Sequence, residues 1–122
     1  MTAKILVVDD SQILLESTAL ALEDAGHEVR TLDNPLSVAA VVRRERPDLM
    51  LIDLNMPTLT GDMVTRIVSQ YGVTKTMKVI LYSDVDESEL ARRTQACGAT
   101  GYISKRFTGP ELAKRVGQIL AA

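Results

Sequence analysis

Apolar runs without polar alternation constrain this chain most. Ile5-Leu6-Val7-Val8, Leu49 to Ile52 and Val79-Ile80-Leu81 are apolar at every position. A strand with one wet face alternates between apolar and polar residues, so an unbroken branched run marks a strand buried on both faces. Glu28 to Leu32 reads as a short second strand, and Tyr102-Ile103 as the centre of a fifth. Segments of helical period fall between these runs. Gln12 to Ala25 is apolar at Leu14, Ala21, Leu22 and Ala25, with Gly26 placed to end it. Asn34-Pro35 supplies a cap and a first-turn proline for a helix with Val38, Val41 and Val42 inward, ended by Pro47.

A third helix carries Met63, Val64, Ile67, Val68 and Tyr71 and stops at Gly72. Asp86 and Glu89 have capping-box spacing ahead of Leu90, Ala91, Thr94 and Cys97, and Gly98 closes that helix. Thr108 and Glu111 repeat the spacing ahead of Leu112, Val116, Ile119 and Leu120. Strands and helices alternate strictly, five of each. That pattern predicts an α/β fold with a doubly wound parallel sheet covered by helices on both faces, as one domain over residues 1–122.

Composition narrows the function classes. Aromatics are 3% of the residues and the net charge is −2, so neither a base-stacking platform nor a polyanion-binding surface is expected. One cysteine, Cys97, cannot form an internal disulfide and fits an apolar helix face. The longest stretch free of Asp, Glu, Lys and Arg is Thr94 to Ser104, too short to span a bilayer. A cytoplasmic location is expected. His27 is expected at the surface, and Arg43-Arg44-Glu45-Arg46 at a solvated helix end.

In open parallel sheets ligands bind outside the carboxyl ends of the strands, where strand order reverses. Those ends are polar here. The first strand runs into Asp9-Asp10, the second into Asp33, the third into Asp53, the fourth into Ser83-Asp84 and the fifth into Ser104-Lys105. Two carboxylates about 4 Å apart repel by several kcal/mol at an effective dielectric near 20. A cation is therefore expected, and hard oxygen donors suit Mg²⁺. Lys105 is a point charge for a phosphoryl oxygen, and the Ser83 hydroxyl can donate to another. A carboxylate nucleophile with a metal, a lysine and a hydroxyl describes phosphoryl transfer to an aspartate. Asp53 stands alone on a central strand and is the expected acceptor, whereas Asp9 and Asp10 are paired to hold metal.

The chain resembles the receiver domain of two-component response regulators. The resemblance runs from about Lys4 to Leu120. It rests on Asp9-Asp10, on Asp53-Leu54-Asn55-Met56-Pro57 followed by Gly61, on Ser83, on Tyr102, and on Lys105 with Phe107. It implies the flavodoxin-like strand order 2-1-3-4-5, a family example of the rule for open sheets. It also implies a signalling switch that accepts a phosphoryl group on Asp53 from a histidine kinase or histidine phosphotransfer protein. Such a protein is no enzyme beyond its own phosphorylation and dephosphorylation.

The family pattern assigns Mg²⁺ to Asp10, Asp53 and the backbone carbonyl of Asn55, with Asp9 acting through a metal-bound water. It assigns phosphoryl contact to Lys105 and Ser83. Ser83 and Tyr102 become a switch that reshapes the face of helix 4, strand 5 and helix 5, where a downstream protein target binds. An aspartyl-phosphate hydrolase fits less well, because its general acid commonly stands where Asn55 is. The alternative is a degenerate receiver that acts as a phosphorylation-independent interaction module. Two positions depart from the pattern: Arg106 replaces the proline, often cis, that usually follows the lysine, and Asp84 replaces a small residue after Ser83. These two are expected to form an ion pair over the site.

Overall fold

The computed structural model describes residues 2–70 and 76–122. The elements are β1 (Lys4–Val8), α1 (Gln12–Asp24), β2 (Glu28–Leu32), α2 (Val38–Glu45), β3 (Leu49–Ile52), α3 (Gly61–Ser69), β4 (Lys78–Ser83), α4 (Glu87–Cys97), β5 (Gly101–Ser104) and α5 (Gly109–Ala121). All pairings are parallel and the order is β2-β1-β3-β4-β5, as expected.

Alternate residues of the apolar runs feed two separate cores. Leu6, Val8, Met50, Ile52, Val79 and Leu81 pack with Val38, Val42, Val64, Val68 and Leu90, which come from α2, α3 and α4. Ile5, Val7, Leu49, Leu51 and Ile80 pack on the other face with Leu15 and Leu22 of α1 and Leu112 and Val116 of α5. This double burial is why the runs carry no polar positions. Each fully buried aliphatic side chain contributes about 1.5–3 kcal/mol.

Local signals set several helix ends. The Ser11 side chain accepts from the Leu14 N–H at the start of α1. The Asp86 side chain accepts from the Ser88 N–H at the start of α4, and Gly98, at φ 79°, closes that helix in the left-handed region. The Lys78 ammonium reaches the carbonyl oxygen of Ile119 at 2.6 Å, tying β4 to the last turn of α5. Arg93 and Asp62 form a two-pronged ion pair at 3.2 and 3.0 Å that joins α4 to α3.

Some expectations change. Asn34 caps a 3₁₀ turn over Pro35–Ser37, and the α-helix itself begins at Val38. The Ser37 N–H bonds to the Asn34 carbonyl, so the first turn is too tight to be α. Thr108 holds the N-cap position of α5, but its side chain makes no capping bond. Pro110 has no N–H to offer there, and Glu111 turns to Arg115 at 3.3 Å. His27 is half-buried, and its Nδ1 accepts from the Ala3 N–H at 3.1 Å. Glu45 is bridged by Lys4 at 3.1 Å and Arg30 at 3.3 Å. The helix end expected at Tyr71 and Gly72 lies outside the described residues. Cys97 is buried, as expected.

Candidate functional site

Strand order reverses between β1 and β3, so the crevice must open at their carboxyl ends. Val8 is paired with Ile52 in the parallel register, and the Asp53 N–H continues the ladder to the Val8 carbonyl at 3.0 Å. That register sets Asp9 and Asp53 side by side. Both are buried, while Asp10 is exposed. Asp9, Asp10 and Asp53 each offer a carboxylate oxygen, and the three lie within 4.8 Å of one another. Hard, anionic oxygens at this spacing match what a divalent cation requires.

Lys105 comes in from the end of β5. Its ammonium donates to Asp9 Oδ2 at 3.1 Å and stands 3.2 Å from Asp53 Oδ1. Burial alone would lower the Lys105 ammonium, but the two carboxylates outweigh it and hold its pKa above the ordinary value. Burial raises the Asp53 carboxyl, and Asp9 adds to this. Lys105 and the Asn55 N–H oppose the rise without cancelling it. The nearby charge does not fully offset the loss of water around Asp53.

The strand ends share one local device. Asp9 Oδ1 accepts from the Ser11 N–H at 3.0 Å, and Asp53 Oδ1 accepts from the Asn55 N–H at 3.2 Å. Ser83 Oγ accepts from the Val85 N–H at 3.3 Å, and Ser104 Oγ from the Arg106 N–H at 3.3 Å. Each is a side-chain turn closed two residues on, the reason Asp and Ser suit such bends. After Asp53 the chain returns closely. The Gly61 N–H reaches the Leu54 carbonyl at 3.1 Å, and a Cβ on Gly61 would collide with the Asp53 carbonyl oxygen.

The other expected residues are placed less uniformly. Ser83 is fully buried and is tied to the Lys105 N–H through its own carbonyl at 2.8 Å. Tyr102 is opposite Leu81 on the edge strand β5 and is 37% exposed, outside the crevice. The expected Asp84–Arg106 ion pair is absent among the described residues. Arg106 instead meets Glu87, in the first turn of α4, at 3.4 Å and lies over the Phe107 ring. The Lys105–Arg106 bond is trans. Sequence reasoning missed Tyr82, a buried phenol that donates to the Phe107 carbonyl at 2.6 Å. Its signal was a tyrosine ending an apolar run, since a buried phenol must find an acceptor for its O–H.

An open parallel sheet with three carboxylates and a lysine at its switch point places the chain among doubly wound α/β proteins with a polar crevice at the strand ends. The chain belongs to the response regulator receiver domain family, whose pattern matches residues 5–117. It is 32% identical to protein PilH of Pseudomonas aeruginosa over 119 residues, which cover 98% of each chain. It is also 32% identical over 116 residues to the phosphate regulon transcriptional regulatory protein PhoB of the same organism, covering 95% of this chain and 51% of PhoB. The chemotaxis protein CheY4 of Vibrio cholerae superposes with a TM-score of 0.89 at 29% identity, over 98% of this chain and 99% of that one. Receiver domains of this family are signalling switches rather than metabolic enzymes. No helix among the described residues is long and apolar enough to cross a membrane.

Proposed function

We propose that this receiver domain is a switch driven by phosphorylation of Asp53, with a histidine kinase or histidine phosphotransfer protein as donor. The observation that carries this reading is the Lys105 ammonium seated between Asp9 and Asp53, with Asp10 beside them. A carboxylate oxygen of Asp53 attacks the phosphorus of a phosphohistidine. The P–O bond forms as the P–N bond breaks, and the leaving nitrogen keeps the bonding pair and takes a proton from solvent. Lys105 then trades its Asp53 contact for a phosphoryl oxygen, and the Ser83 hydroxyl donates to another.

The donor set fits Mg²⁺, which Asp10, Asp53 and the Asn55 carbonyl would hold directly and Asp9 through water. When bound, it neutralises charge on the phosphoryl oxygens. Phosphorylation shifts the population between two packings of Ser83 and Tyr102 and so alters the face of α4, β5 and α5 offered to a target protein.

Acetyl phosphate or phosphoramidate with Mg²⁺ should add one phosphoryl mass to the chain, and Asp53→Asn should abolish the addition. Amide shifts should then spread from Asp53 through Ser83 to Tyr102. A wild-type protein that takes up no phosphoryl group would establish the alternative, an interaction module independent of phosphorylation.

A further inference from the structure

Tyr82 turns to the sheet face opposite Ser83, among the residues packed by α1 and α5, and is 4% exposed. Its hydroxyl donates to the Phe107 carbonyl at 2.6 Å, and its ring centroid lies 5.9 Å from Lys105 Nζ. Burial and the nearby Asp9 charge raise the phenol to about 12, so it stays a donor throughout the neutral range. One side chain of β4 therefore bonds the far end of the lysine's loop and presents its ring to the lysine.

That loop lacks the ring of a proline to stiffen it, because residue 106 is arginine. Two of its ties are local: the Arg106 N–H to Ser104 Oγ at 3.3 Å and the Phe107 N–H to the Ser104 carbonyl at 3.0 Å. The Arg106 side chain leaves toward Glu87. The Lys105 N–H bond to Ser83 fixes the near end of the loop to β4, and the Tyr82 hydroxyl fixes the far end.

We propose that Tyr82 is a positioning residue for Lys105, its hydroxyl and ring holding the Lys105–Phe107 loop so that the ammonium stays between Asp9 and Asp53. This rests on the reading of Asp53 as the phosphoryl acceptor. Tyr82 thus supplies from the sheet the restraint that a rigid residue at position 106 would supply from within the loop.

The test compares labelling by acetyl phosphate at saturating Mg²⁺ in the full chain. Tyr82→Phe removes the hydroxyl and keeps the ring. It should slow labelling about fivefold, the net worth of one hydrogen bond. Mg²⁺ affinity should stay within about twofold, since the carboxylates are untouched. Tyr82→Leu, which also loses the ring, should be slower still. On a Lys105→Ala background Tyr82→Phe should have no further effect, because Tyr82 acts through the lysine. A general loss of stability would not produce that pattern.

Wild-type speed in Tyr82→Phe, Mg²⁺ affinity falling in step with rate, or equal slowing on the Lys105→Ala background would each overturn the proposal. Equal rates for the Phe and Leu variants would overturn the part given to the ring. If Asp53→Asn labels as well as wild type, the parent reading falls, and this one with it. Normal Asp53-dependent labelling with an unaffected Tyr82→Phe variant removes this proposal alone.

Discussion

Lys105 Nζ stands 3.2 Å from Asp53 Oδ1, so the carboxylate at the end of β3 has a counterion from this chain. The same ammonium also pairs with Asp9 at 3.1 Å, so one lysine serves two buried carboxylates and leaves one negative charge between them uncompensated.

Lys105→Ala should therefore destabilise the metal-free protein by about 3 kcal/mol, because two buried carboxylates lose their partner. Millimolar Mg²⁺ should restore much of that loss, and Mg²⁺ should bind the variant more tightly than wild type. Denaturant melts with chelator and with Mg²⁺ measure both effects. A variant as stable as wild type in chelator would mean the lysine neutralises nothing.

Asp10→Asn should weaken Mg²⁺ binding more than Asp9→Asn. Asp10 is exposed and can turn to a cation without breaking a bond within the site, whereas Asp9 already serves the Ser11 N–H and Lys105. Asp9→Asn should instead show its main cost in stability. Calorimetric titration beside thermal melts separates the two, and equal affinity losses would refute the division.

Asp53→Asn should raise the melting temperature of the metal-free protein. Burial lifts the Asp53 carboxyl above its unfolded value, so the folded state binds the proton more tightly. A raised acid is costly when ionised, and stability from this group falls as pH rises through the raised value. The advantage of Asn should thus be full near pH 7 and shrink toward about pH 4, as Asp53 itself becomes neutral. Parallel melts across that range check the sign, and an advantage that grows on acidification would reverse it.

Gly61→Ala should cost about 2–4 kcal/mol, since the added methyl meets main-chain atoms of Asp53 that cannot swing away. Phosphoryl uptake should suffer as well, because relief of the clash moves the Asp53–Leu54 backbone. Urea unfolding measures the first effect and acetyl phosphate labelling the second.

The sheet was legible because double burial leaves an unmistakable trace: Leu6 and Val7 face different cores, and neither tolerates a polar neighbour. The acidic crevice was legible for a related reason, since polar residues directly after such runs must lie at the strand ends. Side-chain direction beyond the strands was not. Nothing in the order Lys105-Arg106-Phe107 says that Arg106 turns to Glu87 rather than Asp84. The Asn34-Pro35 signal marks a helical start but does not distinguish a 3₁₀ turn from an α turn. Thr108 had the right spacing for a capping box, yet its side chain makes no capping bond and Glu111 pairs with Arg115 instead.

The side-chain turns at Asp9, Asp53, Ser83 and Ser104 also bear on how such a crevice tolerates change. Each is closed by an amide only two residues downstream, so each polar group is anchored by its own short stretch of chain. Apart from fixed points such as Gly61 and Phe107, loop sequence beyond that amide can drift or lengthen while the oxygen stays where the strand delivers it. The rim is modular, with four separately hinged pieces on one rigid sheet, and its periphery can be rewritten for new associates while the centre is left intact.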